Sequence, residues 1–203
     1  MRTILTLLAI TISFSMNAQT GNTSTGANAL NSNSTGDYNT ATGYNSLFLS
    51  DTGSRNTASG YTSLSSNTDG YNNTASGYRS LYSNITGNSN TGYGSRSLEN
   101  ITTGDYNTAF GYFTRASSAD ATNQTVIGYD ATGQADNSVV LGNGDVTAVY
   151  MGEDSGATIY AAGLRTASNA VLTLLGDDAT FANDLTIAGD VVINSDMRLK
   201  ANI

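Results

Sequence analysis

Residues 39–55 read NTATGYNSLFLSDTGSR, and the same line returns at 56–72 as NTASGYTSLSSNTDGYN and at 73–89 as NTASGYRSLYSNITGNS. The period is carried by Gly26, Gly43, Gly60, Gly77, Gly94, Gly111 and Gly128, which stand 17 residues apart. Thr precedes each by three positions (Thr23, Thr40, Thr57, Thr74, Thr91, Thr108, Thr125). Tyr follows it at Tyr44, Tyr61, Tyr78, Tyr112 and Tyr129, and Leu30, Leu47, Leu64, Leu81 and Leu98 recur four residues on. A second glycine column runs through Gly36, Gly53, Gly70, Gly87 and Gly104. A fixed period of this kind is the mark of a repeat architecture, in which each unit buries its apolar groups only against its neighbours.

Seventeen residues are too few for a pair of helices, and the Gly, Ser, Thr and Asn content is poor in helix formers. The unit suits one coil of an all-β, parallel β-roll or β-solenoid, with two strands of about five residues and two Gly- or Asn-containing turns, stacked at ~4.8 Å. Asn39, Asn56, Asn73, Asn90 and Asn107 occupy one position of the unit. Two explanations stand for them: a hydrogen-bonded ladder, or the tolerance of Asn for left-handed turns. Ala, Leu and an occasional aromatic give one thin coil little to bury, so several chains are expected to share a core, three being the expected number. Which side chains face inward stays open, because a glycine can reset strand phase.

Composition removes most chemistry. The chain has no Cys, Pro, Trp or His, so imidazole bases, thiol nucleophiles, zinc sites and haem ligands are excluded, and no cofactor or metal site is expected. Disorder is the competing reading of a chain only 38% hydrophobic, but disorder goes with high charge and few aromatics, whereas this chain is 12% charged and has 12 Tyr. With net charge -8 and eight Lys and Arg, nucleic acid is not an expected partner. Without Cys, an exported chain draws its stability from backbone ladders and packing.

Arg2 followed by the apolar run Ile4–Phe14 and a short polar stretch to Ala18 has the layout of a signal peptide over residues 1–18. The run is shorter than the ~20 residues of a membrane span, so a retained anchor is the weaker reading and no transmembrane segment is expected in the mature chain. Export to the cell surface or the surrounding medium follows.

From Gly128 to Gly142 the spacing shortens to 14, and the intervening strand, SVVLG at 138–142, is strongly apolar. This NSVVLG coil resembles the head repeat of YadA-type trimeric autotransporter adhesins, and the 17-residue units look like longer relatives of it. The resemblance spans about residues 21–150, by the repeat argument. It implies a left-handed parallel β-roll trimer over 21–145 and an adhesive role toward surfaces or host glycans. From 146 to 194 the runs TAVYMG, ATIYAAGL, AVLTLLGDD and DLTIAGDVVINSD read as short strands of a β neck. Asp177 and Asp178 are better read as a turn than as cation ligands.

The closing residues 194–203, NSDMRLKANI, resemble the opening of the endosialidase-type intramolecular chaperone, a self-cleaving trimerisation domain of tail spikes and surface fibres. The resemblance implies cleavage between Ser195 and Asp196, with Ser195 as nucleophile and Lys200 as its general base, a dyad that works when burial strips the lysine of its proton. The family's chaperone body would follow Ile203, so the chain as it stands is not expected to cut itself. Three functions therefore compete: a displayed homotrimeric adhesin-like fibre, a self-cleaving precursor with no binding role of its own, and a phage-derived tail fibre, which the signal peptide disfavours. Rows of Tyr read first as packing and second as sugar-binding surface.

Overall fold

The computed structural model describes residues 20–147 and Val149. The chain divides into two units, 1–151 and 152–203, and the described residues lie in the first. The expected signal peptide, nearly all of the β neck and the chaperone-like end lie outside the described residues.

Eight short strands form one sheet: β1 (Thr23–Thr25), β2 (Thr40–Thr42), β3 (Thr57–Ser59), β4 (Thr74–Ser76), β5 (Thr91–Tyr93), β6 (Thr108–Phe110), β7 (Gln124–Ile127) and β8 (Ser138–Leu141). Their order in the sheet is their order in sequence, and every neighbouring pair is parallel. That topology is a β-solenoid, one coil per repeat. The register advances by 17 residues per coil up to Thr108↔Thr125 and by 14 at Thr125↔Val139. At ~4.8 Å per strand the stack from β1 to β8 runs roughly 34 Å.

Each coil has one three- or four-residue strand, where two of about five were expected. The segment opposite is built from turns in which backbone sign alternates: Asn45 and Leu47 have φ of 52° and 48°, Thr62 and Leu64 50° and 51°. A residue in the left-handed region cannot continue a strand, and for a non-glycine it costs roughly 1–2 kcal/mol. Leu64 offsets that cost in two ways. Its side chain is fully buried, worth about 1.5–3 kcal/mol, and its N–H donates to the Ser80 carbonyl of the next coil at 2.9 Å. The segment is thus tied from coil to coil by backbone bonds without being a strand.

Strand phase settles the interior. Ala41, Ala58, Ala75, Ala109 and Val126, the inward positions of their strands, are fully buried, and Leu47, Leu64, Leu81 and Leu98 meet them from the turn side. The glycine after each strand is required twice over. Gly60 has φ of 137°, and a Cβ there would lie 2.5 Å from the Gly77 carbonyl oxygen.

Much of the rest of the interior is polar, and its asparagine column is paired. Asn39, Asn56, Asn73, Asn90 and Asn107 are fully buried. The Asn56 N–H donates to Asn39 Oδ1 at 2.9 Å, Asn73 to Asn56 and Asn90 to Asn73 at the same distance. The side-chain amides then donate forward to a backbone carbonyl, Asn56 to Gly70 and Asn73 to Gly87 at 2.7 Å, and Asn107 to Ala121. Between the two explanations left open by the sequence, the ladder holds for these five. The left-handed residue is the one before each: Tyr38, Arg55, Asn72, Ser89 and Tyr106. A thin coil with a small apolar area is therefore closed by satisfied buried polar groups, which hold neighbouring coils in one register. A second device repeats at the far turn, where the N–H groups of Asp51, Thr52 and Gly53 converge on the Thr68 carbonyl at 3.0–3.1 Å, a backbone nest that receives the next coil.

Candidate interaction surface

The outward side of the sheet carries two rows of side chains set by strand alternation. One is Thr23, Thr40, Thr57, Thr74, Thr91, Thr108, Thr125 and Val139; the other is Thr25, Thr42, Ser59, Ser76, Tyr93, Phe110, Ile127 and Leu141. No charged residue stands on either row. The second row changes character along the stack, from hydroxyls in β1–β4 to exposed aromatic and aliphatic groups in β5–β8, with Tyr93 and Phe110 stacked at 4.9 Å. Val139 is 66% exposed, a large value for an aliphatic side chain in a sheet.

Beyond the corner glycine lies the tyrosine column. Tyr44 and Tyr61 stack at 5.2 Å, Tyr61 and Tyr78 at 5.6 Å, and Tyr112 and Tyr129 at 5.7 Å, with ring planes within 17° of parallel. The coil between Tyr78 and Tyr112 has Ser95 at this position. Next to the gap is a cluster of cations. Arg79 pairs with Glu99 at 2.8 Å, and Arg96 Nε donates to the same carboxylate at 2.5 Å. The Arg96 guanidinium lies 4.5 Å from the Phe113 ring centroid and that of Arg79 4.3 Å from the Tyr82 ring. Glu99 raises the Arg96 guanidinium above its ordinary value, with smaller contributions from the Tyr112 and Tyr78 hydroxyls. Arg115 also lies over the Phe113 ring, 4.3 Å from its centroid, and pairs with Asp130.

The described residues hold four arginines against nine carboxylates, so this cluster is a local exception on an acidic surface. Sequence reading missed it, although a signal was present: the Tyr column at 17-residue spacing omits one step, and Arg follows at Arg79 and Arg96 in adjacent coils. Elsewhere the carboxylates serve the turns. Thr52 and then Thr68 donate hydroxyls to Asp69 and hold its carboxyl below the usual value, as Ser118 does for Asp120. An open cleft of about 440 Å³ at the β8 end is lined by Asp130, Gln134, Leu141 and Asn143 among others.

The residues singled out from the sequence for chemistry, Ser195, Asp196 and Lys200, lie outside the described residues, as do Asp177 and Asp178. Among the described residues no group of three or more carboxylates is placed to hold a metal ion, and no helix is long and apolar enough to cross a membrane. No protein-family profile and no curated protein matches this chain.

Proposed function

We propose that this chain is a segment of an exported homotrimeric surface fibre, whose solenoid displays binding groups away from the cell and takes no part in metabolism. The observation that carries the reading is the uncharged outward sheet face, ending in exposed Tyr93, Phe110, Ile127, Val139 and Leu141. A chain of net charge -8 repels its own copies, so an uncharged strip along the stacking axis is where copies can approach. The strip also repeats in step with the axis, so copies related by rotation about that axis meet residue for residue. Three is the copy number implied by the likeness of the NSVVLG coil to YadA-type head repeats, and export rests on the signal-peptide layout of residues 1–18.

The NSDMRLKANI end supports a second reading within the same fibre. We propose that, in a chain continued by the chaperone body, Ser195 acts as nucleophile on the Ser195–Asp196 peptide bond. Lys200 takes its hydroxyl proton and passes it to the departing Asp196 amine as the C–N bond breaks, and water hydrolyses the resulting ester to leave a fibre that ends at Ser195. Antibody raised against the coils and applied to intact cells tests the display role, since the coils carry no lysine for amine labelling: staining of unpermeabilised cells is expected, and staining only after lysis overturns it. Ser195→Ala in the continued chain tests the second: cleavage is expected to stop, and unchanged cleavage removes the dyad.

A further inference from the structure

The outward face of the sheet divides into two halves of different chemistry. In β1 and β2 both outward positions are Thr, and in β3 and β4 they are Thr and Ser. From β5 onward the second position turns to Tyr93, Phe110, Ile127 and Leu141. The hydroxyl half is an array of two rows across four coils, and every member except the half-buried Ser76 is exposed. Its hydroxyls are free. At the far turn Thr52 and Thr68 donate theirs to Asp69, and Thr102 donates to the Ala119 carbonyl. Among the described residues, by contrast, no hydroxyl of the array makes a hydrogen bond within the chain. Branching at Cβ restricts the Thr side chains at χ1, so their hydroxyls repeat with the backbone that carries them.

The repeat is close to that of crystalline water. In ice each molecule is bonded tetrahedrally, and O–H···O contacts of about 2.75 Å place next-nearest oxygens about 4.5 Å apart in a layer and equivalent layers about 7.3 Å apart. The array repeats at ~4.8 Å from coil to coil and at about 6.6 Å between its two rows along a strand. Across four coils the accumulated offset is about 1 Å, and across the two rows about 0.7 Å, both well under half a lattice step. Tyr93 interrupts the second row of hydroxyls and ends the match at β5. Charge would turn neighbouring water away from tetrahedral order, and neither row carries any. The Thr methyls between the hydroxyls leave the water beside them bonded to itself. From this agreement of spacing, exposure and free hydroxyls we infer that the outward face of β1–β4 binds ice, with its Thr and Ser hydroxyls taking oxygen positions of the crystal surface.

The inference goes beyond the display role proposed above. Copies of the chain are needed to cover the apolar side chains of β5–β8, whereas the hydroxyl half requires no cover and is open to water. Slow freezing of a dilute solution of the purified full-length chain onto a cold finger separates a solute that binds ice from one that the growing front pushes out. Enrichment of the chain in the ice is expected, together with faceted rather than round crystals near the melting point. Thr42→Tyr sets within the array the ring that Tyr93 carries at the equivalent strand position three coils on, so the fold accommodates it, as circular dichroism checks, and enrichment is expected to be lost. Thr103→Val removes an exposed hydroxyl outside the sheet and is expected to leave enrichment intact. Exclusion of the chain from ice, enrichment that survives Thr42→Tyr, or equal loss in both variants overturns the inference. A displayed trimer that ice excludes keeps the display role and loses this function; a monomer that ice takes up keeps the function and loses the role.

Discussion

Removing one rung of the asparagine ladder should cost different amounts in adjacent coils, and the structure says which costs more. Asn73 accepts the Asn90 N–H at 2.9 Å and donates to the Gly87 carbonyl at 2.7 Å. Asn90 does the same for the Asn107 N–H and the Gly104 carbonyl. The coils differ three residues before the glycine. Asn84 also donates to Gly87 at 3.0 Å, whereas the equivalent of Asn84 beside Gly104 is Ile101, which has no side-chain donor. Asn73→Ala therefore orphans one buried backbone group, a loss of about 1–3 kcal/mol, and Asn90→Ala orphans two, a loss of about 2–6 kcal/mol. The cavity left by the truncation is the same in both and cancels. Urea unfolding with matched m-values reads the difference, and amide exchange localises it to the orphaned positions, since stacked coils can open in parts. A difference below about 0.5 kcal/mol, the scatter of neutral surface changes, would refute the idea that the ladder is held by counted, satisfied bonds.

Gly60→Ala places a methyl 2.5 Å from the Gly77 carbonyl oxygen at a φ of 137°, and a loss of more than about 2 kcal/mol is expected in thermal unfolding. Asp69 is held below its ordinary value by Thr52 and Thr68, so a carboxyl-carbon NMR titration should find its midpoint under 3.8. A depressed folded value means that this small, solvent-screened contribution is present above the unfolded value and fades as pH falls through the folded one. Leu141→Asp puts charge on an exposed position of the sheet face; it is expected to dissociate the assembly in sedimentation while leaving the circular dichroism of the solenoid unchanged.

Much of this fold was legible because repetition makes position speak. The 17-residue spacing of glycine and threonine announced one coil per unit, and β1 to β7 stack in that register. What the sequence concealed was local backbone sign. Leu47 and Leu64 look like strand residues, and only the fold places them in the left-handed region, where burial and coil-to-coil bonds outweigh the strain. The inward phase of the strands was hidden for the same reason, since Ala58 faces in only because Gly60 turns the chain behind it. The asparagines had two sound explanations, and the positive φ of the residue before each is what separates them. The interaction surface was half visible: the tyrosine rows stood out, but the pairing of Arg79 and Arg96 through Glu99 depends on coils meeting 17 residues apart. The chaperone-like end was readable as a resemblance of ten residues, with Ser195 and Lys200 as its chemistry.

Native mass spectrometry on the protein purified from its own source tests the account most directly. A trimer of chains that begin near Gln19 is predicted, because the uncharged sheet face of a net-acidic solenoid needs copies of itself to cover Phe110, Ile127 and Leu141. A monomer at the same concentration, with those side chains open to solvent, would contradict it.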